Sequence, residues 1–231
     1  MCGLRRRGGA QAPIAYAARL MATAPAARQP DAPLAAGALQ LGAIDCAWRP
    51  YARGERAEPH VRAWLAGLLP DGVPALQRDA HGRPRWPEAV GAEVSWSHSG
   101  GGLLMALARG LRLGCDLEWM RPRVHSLELA QRFFHPREAA WLEALPASLR
   151  ERVFVRLWCA KEAVLKAHGR GIAFGLHRLE FAERGDALAL VDCDAALGQP
   201  RDWSLHAFEP APGYLATLAW SPLPTARTHL Q

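Results

Sequence analysis

The stretch from residue 92 to residue 118 most constrains the fold, because three strand patterns follow one another there with little chain between them. Apolar and polar residues alternate in Ala92–Ser97, which predicts a strand with one buried face. Leu103–Ala108 is apolar throughout, and Leu111–Glu118 alternates strictly after an Arg-Gly turn. We therefore predict three consecutive strands, the last two joined as a hairpin.

Helices and further strands surround this stretch. Pro136 is a favourable first residue for a short helix, and a longer helix, Leu149–His168, carries an apolar stripe and ends at Gly169. Earlier in the chain we predict one strand, Leu39–Trp48, and one helix, Pro59–Leu69. Four later strands are predicted at Leu176–Phe181, Ala187–Val191, Trp203–Phe208 and Tyr214–Trp220. Consecutive strands mixed with helices favour an α+β fold over a doubly wound parallel sheet.

The chain divides into three expected parts. Residues 1–36 are rich in Ala, Pro, Arg and Gly and are interpreted as a disordered leader. Residues 37–108 would form an N-terminal half, and residues 109–231 a C-terminal half that carries the charged motifs described below. A strand-helix-strand pattern occurs on both sides of residue 109, which permits two similar halves without requiring them.

Composition limits the partners and the compartment. The formal net charge of +6 suits an anionic partner, whether a nucleotide, a nucleic acid, an acidic protein or a lipid surface. The five cysteines are scattered and form no Cys-x-x-Cys pair, so a disulfide framework is not expected and a reducing cytoplasm is the natural compartment. No segment is long and apolar enough to predict a transmembrane helix.

Two acidic residues stand two positions apart on the last of the three strands. Asp116 and Glu118 alternate with Cys115 and Leu117, so their carboxylates project from the same face. Two neighbouring carboxylates repel each other unless a cation lies between them, and oxygen ligands of this kind suit Mg²⁺. An Asp-x-Glu pair also occurs on solvated strand faces, so this pair alone does not establish a metal site.

Two further motifs carry chemistry. On the long helix, Glu162 and Lys166 lie four residues apart and Lys161 lies about a quarter turn away, an arrangement that an ordinary surface ion pair also gives. Ser97 and His98 end the first strand just before two glycines, where hydroxyls and backbone N–H groups can bind a phosphate. The alternative is a turn whose serines bond their own backbone.

Together the three motifs resemble the signature of the 4′-phosphopantetheinyl transferases, of the monomeric surfactin type that activates peptide and polyketide synthetases. The matching pieces are Ser-His-Ser at 97–99, Gly-Cys-Asp-Leu-Glu at 114–118 and Trp-Cys-Ala-Lys-Glu-Ala-Val-Leu-Lys at 158–166. Gly-Arg-Pro at 82–84, Arg-Phe-Phe at 132–134 and Gly-Arg-Gly-Ile at 169–172 also fit. The resemblance covers residues 78–182 and is weak elsewhere.

The resemblance implies an α+β fold of two similar halves, related by a pseudo-twofold axis, with the nucleotide in the cleft between them. It implies Mg²⁺-dependent transfer of the 4′-phosphopantetheine group of coenzyme A to a serine of an apo acyl or peptidyl carrier protein, with release of 3′,5′-ADP. A cytoplasmic monomer is also implied. Neither a nucleic acid nor a membrane is expected as a partner.

The resemblance also implies roles for individual residues. Mg²⁺ would be held by Asp116, Glu118 and Glu162. Glu162 would accept the proton of the attacking serine, and Lys166 would stabilise or protonate the departing phosphate. Coenzyme A would be bound by Arg83, Ser97, His98 and Lys161, with His98 on the 3′-phosphate. Arg83 replaces the lysine usual in this family, and the basic residues of the first half align poorly, which leaves only candidates there: Arg53, Arg56 and Arg62.

Two other classes of protein fit parts of the pattern. A different Mg²⁺-dependent phosphate-transfer enzyme would use the same carboxylates, but the chain has neither a Gly-x-x-x-x-Gly-Lys-Ser/Thr loop nor a Gly-rich kinase loop. A non-catalytic basic protein would bind coenzyme A or a nucleic acid. The arginines of this chain are dispersed, however, and no recognised nucleic-acid motif is present.

Overall fold

A computed structural model describes residues 34–80, 82–87, 90–123 and 125–223. Most of the predicted leader, residues 1–33, lies outside the described residues. Leu34, which falls within the predicted leader, is fully buried in the core. The division of the chain at residues 37 and 109 stays a prediction.

The first sheet contains four antiparallel strands in the order β1-β2-β6-β5. They are β1 (Gly37–Leu41), β2 (Ile44–Pro50), β5 (Ala92–Ser99) and β6 (Gly102–Arg109). Two short strands, β3 (Gln77–Arg78) and β4 (Pro84–Arg85), pair separately. Helix α1 (Ala57–Ala66) packs on the sheet through Val61 and Leu65. The single strand predicted at Leu39–Trp48 is wrong, because the chain reverses at Gly42, whose φ is 56°.

The second sheet contains β7 (Leu111–Trp119), β10 (Ser204–Phe208) and β11 (Tyr214–Pro222) in the order β10-β11-β7. The remaining strands, β8 (Leu179–Arg184) and β9 (Ala187–Cys193), form a separate two-stranded sheet. The predicted hairpin between β6 and β7 is wrong. A strand has two hydrogen-bonding edges, and those of β6 are occupied by β2 and β5, so β7 pairs with β11.

Three helices follow β7. They are α2 (Ser126–Phe133), α3 (Pro136–Ala144) and α4 (Ala147–His168). Pro136 begins α3 as predicted, and α4 ends where Gly169 adopts a left-handed φ of 99°. Apolar residues of α4, among them Val164, pack in the core together with Leu215 and Ala219 of β11. The mixed α and β composition that the sequence predicts is confirmed.

Two further predictions concern cysteines and membranes. The four cysteines in the described part of the chain are free thiols; Cys46, Cys115 and Cys159 are buried and Cys193 is partly buried. Within residues 34–223, so far as they are described, no helix combines the length and the apolar character needed to cross a bilayer.

Candidate active site

Helix α4 lies directly against the middle of β7 because Gly114 has no side chain. A Cβ at this position would lie far inside contact distance of the Ala163 carbonyl oxygen and the Ala167 amide nitrogen. A glycine inside a strand marks such a close approach of backbones. Because Asp116 follows Gly114 on the same face of β7, the approach brings Asp116 to the helix turn that carries Lys166.

Gly114→Ala is expected to lower the free energy of unfolding by about 2 kcal/mol, because the added methyl group overpacks the contact between strand and helix. The displaced helix should also lower the activity of the site described below. Chemical denaturation measures the stability. Gly67→Ala is the matched control, since a Cβ there would meet only the Trp64 carbonyl oxygen at 3.5 Å. Equal stability of the two variants would show that the approach at Gly114 is not tight.

Asp116 is at the centre of the site. It is 4% exposed, and its Oδ1 accepts hydrogen bonds from Ser97 Oγ at 2.8 Å and from Lys166 Nζ at 2.7 Å. Lys166 Nζ also lies 2.8 Å from Ser97 Oγ, so the three side chains form a closed triangle between β5, β7 and α4. The other carboxylate oxygen, Asp116 Oδ2, is buried and has no partner among the described residues.

Glu118 is held in a similar way two residues further along β7. Its Oε2 accepts hydrogen bonds from Ser99 Oγ at 3.1 Å and from Arg123 at 2.6 Å. The Ser99 hydroxyl oxygen in turn accepts the backbone N–H of Trp119 at 3.1 Å. Ser97 and Ser99 of β5 thus face the two acidic residues of β7 in the same order.

Glu162 is the third acidic residue, and it lies on α4 one turn before Lys166. Its side chain is buried and its Oε1 has no hydrogen-bond partner among the described residues. Burial, together with the negative charges of Asp116 and Glu118, raises the pKa of Glu162 to about 7. Burial acts to lower the pKa of Lys166, but its interactions with Asp116, Cys115 and Glu162 together outweigh this effect and the pKa is raised. Lys166 is therefore a cation at neutral pH.

The donor set fits a divalent cation. Asp116 Oδ2 and Glu162 Oε1 are buried carboxylate oxygens without partners, and such oxygens are the ligands that Mg²⁺ prefers. Within the described ranges, however, no three His, Cys, Asp or Glu side chains are gathered into a ready cation site. Lys166 and Arg123 pair with Asp116 and Glu118 and neutralise them. The uncompensated repulsion expected from the sequence is thus relieved by these two cations.

An open cleft of about 220 Å³ lies beside this site. Its wall is formed by β4, β5 and the end of α4, and includes Arg83, Ser95, Trp96, Lys166 and Gly169. The guanidinium of Arg83 does not point freely into the cleft, because it pairs with Glu93 at 2.5 Å and donates to the Leu113 carbonyl oxygen at 3.1 Å. Arg85 contacts the same Glu93 carboxylate at 3.3 Å.

The two residues predicted at the end of β5 have different environments. Ser97 is buried and bonded to Asp116, as described above, whereas His98 is exposed on the other face of the strand. The imidazole of His98 packs against the ring of Tyr51 at the end of β2. Ser97 therefore belongs to the acidic site, and His98 remains available to a ligand at the end of the sheet.

Lys161 does not belong to the site, and the prediction that it binds a phosphate is wrong. Its side chain is 0% exposed, and Nζ donates to the carbonyl oxygens of Leu176 and Leu179 at 2.9 and 2.6 Å and pairs with Glu138 at 2.7 Å. Successive helix residues point about 100° apart. The side chain of Lys161 consequently points towards α3 and β8, although Glu162 beside it in sequence faces β7.

Comparisons with known proteins match this chain to one family. A family model described as the 4′-phosphopantetheinyl transferase superfamily matches residues 112–219, which include α4, nearly all of β7 and most of β11. The 4′-phosphopantetheinyl transferase HetI of Nostoc is 34% identical over 174 residues, which make up 70% of this chain and 70% of HetI. The chain belongs to the 4′-phosphopantetheinyl transferase superfamily.

Other relatives of this superfamily match more locally. A 4′-phosphopantetheinyl transferase of Bacillus subtilis is 31% identical over 126 residues, 54% of each chain. A protein of Synechocystis is 40% identical over 124 residues, and the match covers 52% of this chain and 50% of the relative. The chain thus spans about half the length of the Synechocystis protein. The predicted family is confirmed by these matches.

Sequence reasoning missed three residues: Arg123 and Gly114 organise the site of this superfamily member, and Glu138 holds Lys161 away from it. Arg123 neutralises Glu118, and Glu138 neutralises Lys161. Neither pairing has a local sequence signal. Arg123 follows β7 in a segment without a regular pattern, and Glu138 and Lys161 lie on different helices. The role of Gly114 could have been predicted, since a single glycine inside a strand of alternating apolar and polar residues indicates a close approach of another backbone.

Proposed function

We propose that this superfamily member transfers the 4′-phosphopantetheine group from coenzyme A to a serine of an apo acyl or peptidyl carrier protein. The observation that carries the proposal is the buried carboxylate of Glu162, whose Oε1 has no partner among the described residues, near the paired Asp116 and Lys166, of which Lys166 lines an open cleft. These residues would supply a base, a cation for an anionic group and two of the proposed metal ligands. The names of the relatives point to the same reaction.

Mg²⁺ would be held by Asp116, Glu118 and Glu162, of which Asp116 and Glu162 each offer an oxygen without a partner. When bound, the ion supplies positive charge to the pyrophosphate of coenzyme A. For Glu118 to bind the ion, the hydrogen bond from Arg123 to its carboxylate would have to lengthen or break. Lys166 and Arg123 already compensate Asp116 and Glu118, so the carboxylate of Glu162 is the one for which the ion would supply the missing positive charge.

The reaction replaces one phosphorus–oxygen bond by another. The serine oxygen of the carrier forms a bond to the phosphorus that bears pantetheine, while the bond from this phosphorus to the 3′,5′-ADP oxygen breaks and leaves its electron pair on that oxygen. The serine proton passes to the carboxylate of Glu162, whose Oε1 has no other hydrogen-bond partner among the described residues. Lys166, a cation beside the cleft, stabilises the negative charge on the departing phosphate.

Coenzyme A would lie along the cleft and reach the end of β5. Arg83 lines the cleft and would contribute positive charge if Glu93 shares its carboxylate with Arg85. Ser97 would orient Lys166 and Asp116 through its hydroxyl group. His98, exposed at the end of β5, is assigned to the 3′-phosphate of the nucleotide.

We also propose that the chain is a cytoplasmic monomer built from two similar halves, residues 37–108 and 109–231. Each half packs one helix on a sheet, α1 in the first half and α4 in the second. Strands β5 and β7 lie side by side where the halves meet, bonded through Ser95 Oγ, which accepts the N–H of Cys115 at 3.0 Å. This arrangement is what a pseudo-twofold axis between the halves would produce.

The test combines the purified protein, coenzyme A, Mg²⁺ and an apo carrier protein, and the carrier is then weighed by mass spectrometry. We expect a single addition of one phosphopantetheine group, and no addition when EDTA removes the metal. A panel of unrelated apo acyl and peptidyl carriers covers the unknown partner. If every carrier stays unmodified while ATP is hydrolysed, the chain catalyses a different phosphate transfer.

A further inference from the structure

The ring of Tyr51 packs against the imidazole of His98. The ring centroids lie 5.2 Å apart and the planes are inclined by 31°, a distance and tilt typical of a favourable aromatic pair. Tyr51 is 7% exposed, whereas His98 is exposed. A buried, immobile ring therefore supports one side of an imidazole whose other groups face solvent.

Tyr51 itself is fixed at both ends. Its backbone N–H donates to the carbonyl oxygen of Gly101 at 2.9 Å, in the turn between β5 and β6. Its hydroxyl group donates to the backbone carbonyl oxygen of Glu55, which closes the loop that precedes α1. His60 of α1 approaches the same ring edge-on at 5.8 Å. These contacts leave the tyrosine ring little freedom, so the orientation of His98 is set before any ligand arrives.

We propose that Tyr51 is a positioning residue that holds His98 in the orientation needed to bind the 3′-phosphate of coenzyme A. The inference rests on the proposed function, which assigns that phosphate to His98. Prior orientation of a side chain strengthens binding because less conformational freedom is lost when the ligand arrives. Tyr51 would thus favour coenzyme A over a form without the 3′-phosphate, although it need not touch the ligand.

The test measures the Kd of coenzyme A and of 3′-dephospho-coenzyme A by calorimetry on the full chain with Mg²⁺ and no carrier. Tyr51→Leu should weaken binding of coenzyme A by about fivefold, the scale of one aromatic pair. Binding of the dephospho form should change by less than about twofold. Tyr51→Phe keeps the ring and should keep the preference for the 3′-phosphate.

Two further variants make the result specific. Tyr214→Leu is the matched control, because Tyr214 is also buried and its hydroxyl oxygen accepts the N–H of Gly101 at 3.2 Å, whereas Tyr51 is the tyrosine whose ring packs on His98. It should weaken both ligands equally or neither. In a His98→Ala background, Tyr51→Leu should cause no further loss, since the side chain it positions is gone.

The outcomes separate the two proposals. If the wild type binds both ligands equally, or Tyr51→Leu weakens both to the same extent, the role of Tyr51 is overturned. The same holds if Tyr51→Phe loses the preference or Tyr214→Leu loses it equally. If the preference depends on Tyr51 as expected but no apo carrier is modified, the proposed transfer fails and the positioning role stands.

Discussion

Glu162→Gln is expected to lower kcat for carrier modification by about three orders of magnitude, because the amide can neither accept the serine proton nor serve as an anionic metal ligand. The protein should remain folded. Glu162 is 7% exposed and its Oε1 has no partner among the described residues, so its charge costs stability in the absence of metal. Replacing the carboxylate by a neutral amide of the same shape should therefore leave the unfolding temperature equal or higher.

Asp116→Asn is the informative comparison for Glu162→Gln. It should also abolish transfer, but its effect on the metal-free protein should have the opposite sign. Lys166 Nζ lies 2.7 Å from the Asp116 carboxylate, and the substitution leaves that cation without its charged partner. Relief of repulsion among three carboxylates, taken alone, predicts a stabilised mutant in both cases. Because Asp116 is paired with Lys166, we expect a stabilised metal-free protein only for Glu162→Gln.

Thermal unfolding without metal and mass spectrometry of the carrier measure the two effects on the same preparations. Mg²⁺ and coenzyme A together should raise the unfolding temperature of the wild type and raise that of either variant much less. Transfer by Glu162→Gln at more than about a tenth of the wild-type rate would remove Glu162 from the role of base. A clear loss of stability in this variant would show that its carboxylate has a partner in solution.

Lys161→Met is expected to lower the free energy of unfolding by about 3–5 kcal/mol, the cost of leaving a buried charge without its partner. Lys161 and Glu138 have side-chain exposures of 0% and 1%, and their charged groups lie 2.7 Å apart. Burial lowers the pKa of Lys161 and raises that of Glu138, which is the signature of a pair that water does not reach. Removal of the ammonium also takes one hydrogen-bond donor from each of the carbonyl oxygens of Leu176 and Leu179.

Two variants control this prediction. In Lys161→Met/Glu138→Gln the orphaned carboxylate is replaced by a neutral amide, so part of the lost stability should return. Lys166→Met, on the same helix, also leaves a buried carboxylate, Asp116, without its charged partner, but Lys166 is 29% exposed and water can replace part of that partner, so the loss of stability should be smaller while turnover is damaged. Chemical denaturation and the transfer assay together distinguish the two lysines. If Lys161→Met is as stable as Lys166→Met, the buried pair contributes little to the fold.

Some of the site could be predicted because it depends on local periodicity. Alternation along β7 places Asp116 and Glu118 on one face, and the spacing of four residues places Glu162 and Lys166 along one strip of α4. The structure brings Lys166 to Asp116 and couples the charge of Glu162 to both acids of β7. The sequence motifs also identified the family that the comparisons confirm.

Periodicity could not predict which strand edges pair, or into which part of the structure the side chain of Lys161 points. β6 and β7 are adjacent in sequence, yet they belong to different sheets because β2 and β5 occupy both edges of β6. Lys161 follows the family motif as closely as Glu162 does, but a helix turns about 100° per residue and sends it to Glu138 on α3. Both outcomes depend on elements that are distant in sequence.

The sequence alone thus determined the family and the mixed α and β class, and it supplied the acidic, basic and hydroxyl residues that are proposed to carry the chemistry, because these follow from residue type and short-range spacing. Only the tertiary structure decided which of them meet. The close approach at Gly114 brings Lys166 to Asp116, Lys161 is buried in the core, and Tyr51, which directly follows β2, packs against His98. Contacts between distant segments are selected by packing and by the pairing of buried charges, and no local pattern encodes them.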